Sequence, residues 1–71
     1  MYSDEDIARL RIIKYLVDEV GLNLAGVELA LRLRAKLYEM QDELEMTFIS
    51  RRQRERLQQL IREMLQILGT P

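Results

Sequence analysis

The run "RRQRER", residues 51–56, gathers the densest charge in the chain. Arg51, Arg52, Arg54 and Arg56 carry planar, permanently charged forks that suit phosphate or carboxylate groups. Upstream, Glu39, Asp42, Glu43 and Glu45 form an acidic cluster that could attract a cation, a basic protein surface or these same arginines. The chain has no Cys and no His, which removes disulfides, thiol nucleophiles, imidazole bases and the usual zinc sets together. With no nucleophile–base pair and no glycine-rich phosphate loop, the residues predict a protein that binds rather than an enzyme, with no cofactor.

The charges are unevenly spread. Residues 1–46 hold six Lys/Arg against ten Asp/Glu, a balance of −4, while residues 47–71 hold five Arg against two Glu, +3. An acidic body with an arginine-bearing tail suits pairing with itself or with a partner of complementary charge. It is not the broad positive surface of a self-sufficient nucleic-acid binder. On a helix, Arg51, Arg52, Arg56 and Arg62 fall opposite the leucines, among Glu55 and Glu63, with Arg54 near the edge, and that pattern reads as a solvated face.

Positioning these groups takes helices. Ser3 is the first N-cap, followed by Asp4, Glu5 and Asp6, whose charge complements the helix start. Ile7, Leu10, Ile13, Leu16, Val17 and Val20 recur at helical spacing and predict the buried stripe, with Ile12 off it as a second contact surface. Gly21 is placed to end that helix in the left-handed region. In "GLNLAG", Asn23 caps the next helix, and Leu22 and Val27 stand at the positions of a hydrophobic staple. Gly26 costs helix stability, about 1 kcal/mol against Ala, a cost offset if helix 1 packs closely there.

The second helix runs from Leu24 to Met46. Ala30, Leu33, Leu37, Met40, Leu44 and Thr47 follow a four–three spacing that suits a coiled-coil seam. At ~1.5 Å per residue the helix is about 34 Å long, so its distal part, from Leu37 on, outruns what helix 1 covers and needs another partner. Thr47, Phe48 and Ile49 interrupt the strong helix formers, and Ser50 to Gln53 matches a capping box. This favours a break at residues 47–50 and a third helix from Arg51 to Leu68, stopped by Gly69 and Pro71, over one unbroken helix from Leu24 to Leu68. The third helix carries Leu57, Leu60, Ile61, Met64, Ile67 and Leu68 as its apolar stripe. Met40, Met46 and Met64 read as seam filler rather than as an adaptable ligand groove.

The expected fold is all-α: a helical hairpin, a long coiled-coil-like helix and a C-terminal helix, organised as residues 1–46 and 47–71. At this size a single core needs help, and with no disulfide or metal a second copy is the expected help. The interface is assigned to Leu33, Leu37, Met40, Leu44, Leu57, Ile61, Met64 and Leu68. No signal peptide and no spanning segment are evident, so the expectation is a cytoplasmic protein away from membranes.

The stretch "YSDEDIARLRIIKYLVDEVGLNLAGVELALRLRAKLYEMQDELE" resembles the MerR family of regulators, in the part that follows their helix-turn-helix and wing, with the start of the dimerisation helix. Tyr2, Ser3, Asp6, Leu10, Arg11, Ile13, Leu16, Gly21, Asn23, Leu24, Ala25 and Gly26 carry the resemblance, and "GLNLAG" is its specific part. Within the family it is most similar to the heat-shock repressors of the HspR type, and it is also similar to CbpM-like modulators of chaperones. The resemblance implies a dimerisation and regulatory segment of a heat-shock transcriptional repressor, reading DNA only through a domain that precedes it. The alternative it implies is a stand-alone adaptor of DnaK/DnaJ-type chaperones. The resemblance adds Tyr2 and Arg11 as candidate phosphate contacts, beside Arg51 and Arg52 of the arginine run, which lies outside the resemblance.

Overall fold

A computed structural model describes residues 2–70 and contains three helices, α1 (Asp4–Asp18), α2 (Leu24–Met46) and α3 (Arg51–Ile67). The fold is all-α. Each helix starts on a polar side chain with extended backbone. The Ser3 hydroxyl accepts from the Asp6 N–H at 3.2 Å, and the Asp6 carboxylate accepts from the Ser3 N–H at 3.2 Å, closing a reciprocal cap. Asn23 Oδ1 accepts from the Gly26 N–H at 2.9 Å, and Ser50 Oγ from the Gln53 N–H at 3.2 Å. Each bond satisfies one of the donors a helix start leaves free.

The stops are equally local. Gly21 has φ 81, which lets the chain reverse so that the Leu22 N–H reaches the Leu16 carbonyl at 2.9 Å. Gly69 has φ 90. The Gly69 N–H bonds to the Gln66 carbonyl at 3.0 Å and the Thr70 N–H to the Leu65 carbonyl at 2.9 Å, the paired bonds of a Schellman ending. Pro71, the other expected stop, lies outside the described residues.

The break between α2 and α3 is present, so the unbroken helix is excluded. Thr47 turns to extended backbone at φ −91, ψ 136. Its hydroxyl donates to the Glu43 carbonyl at 2.7 Å, and the Arg54 guanidinium donates to the Thr47 carbonyl at 2.8 Å. Arg54 therefore clamps the turn. The Ser50 cap is only half of the expected box, because among the described residues no return bond from the Gln53 side chain is present.

Two buried clusters divide α2 between them. Ile12, Leu16, Val27 and Ala30 form one, with Ile13, Leu22, Leu31 and Leu68 packed against it. Leu37, Leu44, Ile61 and Leu65 form the other, with Ile49 and Leu68 against it. Leu68 touches both and joins them.

These clusters correct the expected core. Ile12, expected off the stripe, is 3% exposed, whereas Ile7, Leu10, Val17 and Val20 are largely exposed, at 41–53%. Ile12 and Leu16 lie one turn apart and point at α2, and a helix this narrow in contact can bury only that pair. Leu65, absent from the expected stripe of α3, is 4% exposed, while Leu57, Leu60, Met64 and Ile67 remain open. Arg54 and Gln58, both half-buried, share the face of Ile61 and Leu65 and disguise it as polar.

Gly26 is also tight for a different reason from the one expected. A Cβ there would lie 3.2 Å from the Leu22 Cβ, so the staple residue, not α1, makes the close approach.

Candidate interaction surface

The residues assigned to an interface divide in the structure. Leu37, Leu44 and Ile61 are spent within the chain, where α3 covers the distal part of α2. Leu68 is half-buried between the two clusters. Leu33, Met40, Leu57 and Met64 stay open, at 39–50% exposure. The need of distal α2 for a partner is met first by α3, in the same chain.

What α3 leaves behind is a continuous apolar groove beside that packed seam. Leu33, Met40, Met64 and Ile67 line one end; Met40, Met64, Leu57 and Leu60 line the other. Lys36, Glu39 and Glu43 form its α2 edge. Scattered exposed apolar side chains are ordinary on a folded protein, whereas a contiguous set along two adjacent helices is a candidate contact surface. Leu60 and Ile67 belong to it although they were not assigned to an interface. The signal was present in their spacing with Leu57 and Met64, hidden because the whole stripe was read as one face.

Charge follows helix edges more than clusters. Lys36 bonds Glu39 at 3.1 Å, with both side chains mostly in solvent, and Arg51 bonds Glu55 at 3.1 Å in the same way. Such exposed pairs contribute little to stability. Pairing of the acidic cluster with the arginines of residues 51–56, expected within the chain or across a dimer, is not formed within the chain among the described residues. Among those residues no group of acidic side chains is placed to hold a metal ion.

The candidate phosphate contacts are dispersed. Tyr2 is 74% exposed and shares a cleft with Arg9, Leu10 and Ile13, not with Arg11. Arg51 and Arg52 stand exposed at the far end of the molecule, on the first turn of α3. Arg9, Arg32 and Arg34 do meet, with Glu28, along a cleft between α1 and α2. Arg34 lies over the Tyr38 ring at 5.0 Å and reaches Thr70 Oγ1 at 3.4 Å. Its guanidinium thus ties α2 to the chain beyond α3.

Residues 1–33 match the family model described as MerR HTH family regulatory protein. The match spans α1, the glycine turn and the part of α2 ending at Leu33. It takes in the "GLNLAG" turn and stops before the second buried cluster. Comparison with curated proteins gives no match, and comparison with solved structures gives none. No helix among the described residues is long and apolar enough to cross a membrane.

Proposed function

We propose that this chain is a pairing and regulatory segment of a MerR-type transcription regulator, acting as a homodimer. The observation that carries the reading is a juxtaposition. The family match falls on the α1–α2 pair, and the same α2 continues into a groove whose apolar edge has no cover among the described residues. In this reading α1 and the turn belong to the regulator's body, and the groove brings two bodies to a fixed separation. A fixed separation between two DNA-reading units is what matches a dimer to two half-sites.

The process we assign is heat-shock repression, on the resemblance of "GLNLAG" to HspR-type repressors. The alternative, an adaptor for DnaK/DnaJ-type chaperones, draws on the acidic edge of the same groove, where Glu39 and Glu43 would favour a basic partner.

Two measurements test the reading. Sedimentation of the 71-residue chain at micromolar concentration should show a dimer. Titration at about 150 mM salt, near physiological strength, against an inverted-repeat heat-shock operator and a scrambled duplex should show equal, weak binding. Its arginines are interleaved with glutamates, and their attraction to phosphate fades as counterions compete. A monomer, or tight sequence-selective binding by this chain, would overturn the pairing role. Saturable binding of a purified DnaK- or DnaJ-type chaperone by the monomer would favour the adaptor.

A further inference from the structure

We propose that a second copy docks in the α2–α3 groove with α2 of each copy lying on α3 of the other, set in register by Lys36–Glu63 and Glu43–Arg56 pairs across the interface. This rests on the self-association proposed above and adds its geometry.

The first argument is area. The chain exposes 6141 Å², whereas a compact monomer of this mass exposes about 4,700 Å². The excess comfortably covers the ~800 Å² that each partner of an ordinary interface contributes. Shape agrees: the radius of gyration is 13.9 Å against about 11 Å for a compact chain of this length. Among the described residues every buried residue is apolar, yet none of the larger side chains is fully buried. A four-helix arrangement would complete this core and cover the open stripe at once.

The second argument is the order of charge along the two edges. On α2, Lys36 borders the groove beside Met64 and Ile67, and Glu43 borders it beside Leu57 and Leu60. On α3, Glu63 lies one turn before Ile67, and Arg56 one turn before Leu60, which places them along the outer edge of the open stripe. The α2 edge therefore reads positive then negative, and the antiparallel α3 edge reads negative then positive at the same levels. Each pair of charges is one heptad apart, the spacing at which edge charges select partners in paired helices.

Within one chain these edges lie on opposite sides of the groove and do not meet. Among the described residues Glu43 and Arg56 form no ion pair, and Glu63 only accepts a bond from Gln59, at 3.3 Å. A two-fold axis running along the helices keeps every residue at its own level and carries the α2 edge onto the other copy's α3 edge. Lys36 then faces Glu63, and Glu43 faces Arg56, twice each. An axis across the helices would lay α2 on α2 instead, with Lys36 facing Glu43.

Charge reversal separates these arrangements. Glu43→Arg and Arg56→Glu should each weaken the dimer about tenfold in Kd, as two modest attractions become repulsions. Combining both substitutions in one chain should restore the parental Kd, and so should mixing the two single variants in equal amounts. With α2 on α2, the double variant would be weaker than either single one. Leu60→Lys, at a position 44% exposed in the single chain, should yield a monomer with unchanged helical circular dichroism. Sedimentation and circular dichroism read all of these. A monomeric parent would sink self-association itself. A dimeric parent with indifferent single variants, a double variant that is not restored, or a dimeric Leu60→Lys would overturn only this pairing.

Discussion

The two ends of α2 are covered in different ways. Near its start, Val27 and Ala30 meet the narrow pair Ile12 and Leu16 of α1, with Ile13 half-buried beside them, and Ile7, Leu10 and Val17 of α1 face outward. Towards its end, Leu37 and Leu44 meet Ile61 and Leu65 of α3, and the surplus apolar surface of both helices gathers into one groove. The N-terminal contact resembles a local hairpin, set by its caps and a glycine. The C-terminal contact is a long antiparallel seam, set by side-chain complementarity. A short contact depends on its turn, whereas a long seam depends on its core.

The largest effect should therefore follow truncation of the seam. Leu65→Ala should cost about 2–5 kcal/mol, the range for deleting a buried leucine side chain, and should release α3 and distal α2 together. Leu16→Ala lies in the same range, since Leu16 is only 2% exposed, but its effect should concentrate in α1 and the start of α2. Native-state hydrogen exchange tells them apart, because it reports which backbone bonds open and at what free energy. If both variants open all three helices equally, Leu68, which packs against both clusters, fuses them into one cooperative unit and the distinction drawn here fails.

The glycines give the next test. A Cβ on Gly69 would sit 2.6 Å from Tyr15 Cδ1, so the end of α3 is pressed against α1. Gly69→Ala combines left-handed strain, about 1 kcal/mol or more, with displacement of that ring. Gly21→Ala carries the backbone strain alone, because nothing lies within 4 Å of its added Cβ. Thermal unfolding should show Gly69→Ala as the more damaging by about 1 kcal/mol or more, within the range for overpacking a close contact. Adding Tyr15→Ala to Gly69→Ala should remove most of the difference. Equal melting of the two glycine variants would show that the end of α3 does not rest on α1.

The legible parts of the sequence were those whose cause is local. Ser3, Asn23 and Ser50 cap where their side chains permit, Gly21 and Gly69 turn where φ must be positive, and the break at Thr47 follows from three consecutive weak helix formers. Facing was harder to read. Helix α1 carries apolar residues around more than half of its circumference, and periodicity cannot say which of Ile12 or Ile13 looks inward. In α3 the inner face is marked by Arg54 and Gln58, both half-buried, and the Arg54 guanidinium turns back onto the Thr47 carbonyl with its Nε buried. The open groove was half legible for the same reason. The four–three seam was visible, but a seam does not state whether its partner is the same chain or another.

The smallest predicted effect compares the caps of the two later helices. Asn23→Ala removes the 2.9 Å bond to the Gly26 N–H and should lower stability by about 1 kcal/mol. Among the described residues that turn is otherwise held by the Leu22 N–H bond to the Leu16 carbonyl and by the packing of Leu22, with no charged side chain gripping it. Ser50→Ala removes a comparable bond, from the Gln53 N–H at 3.2 Å. There, however, Arg54 still grips the Thr47 carbonyl at 2.8 Å, and a bond from a charged donor is the stronger kind. Ser50→Ala should accordingly cost less than Asn23→Ala, by about 0.5 kcal/mol within the usual spread of cap effects. Adding Arg54→Ala should expose the missing cap, so that the double variant loses more than the two single losses added together. Denaturant titration of the four variants measures all of these differences. Simple additivity would mean that the clamp and the cap act independently, and that the turn before α3 is held by the seam rather than by Arg54.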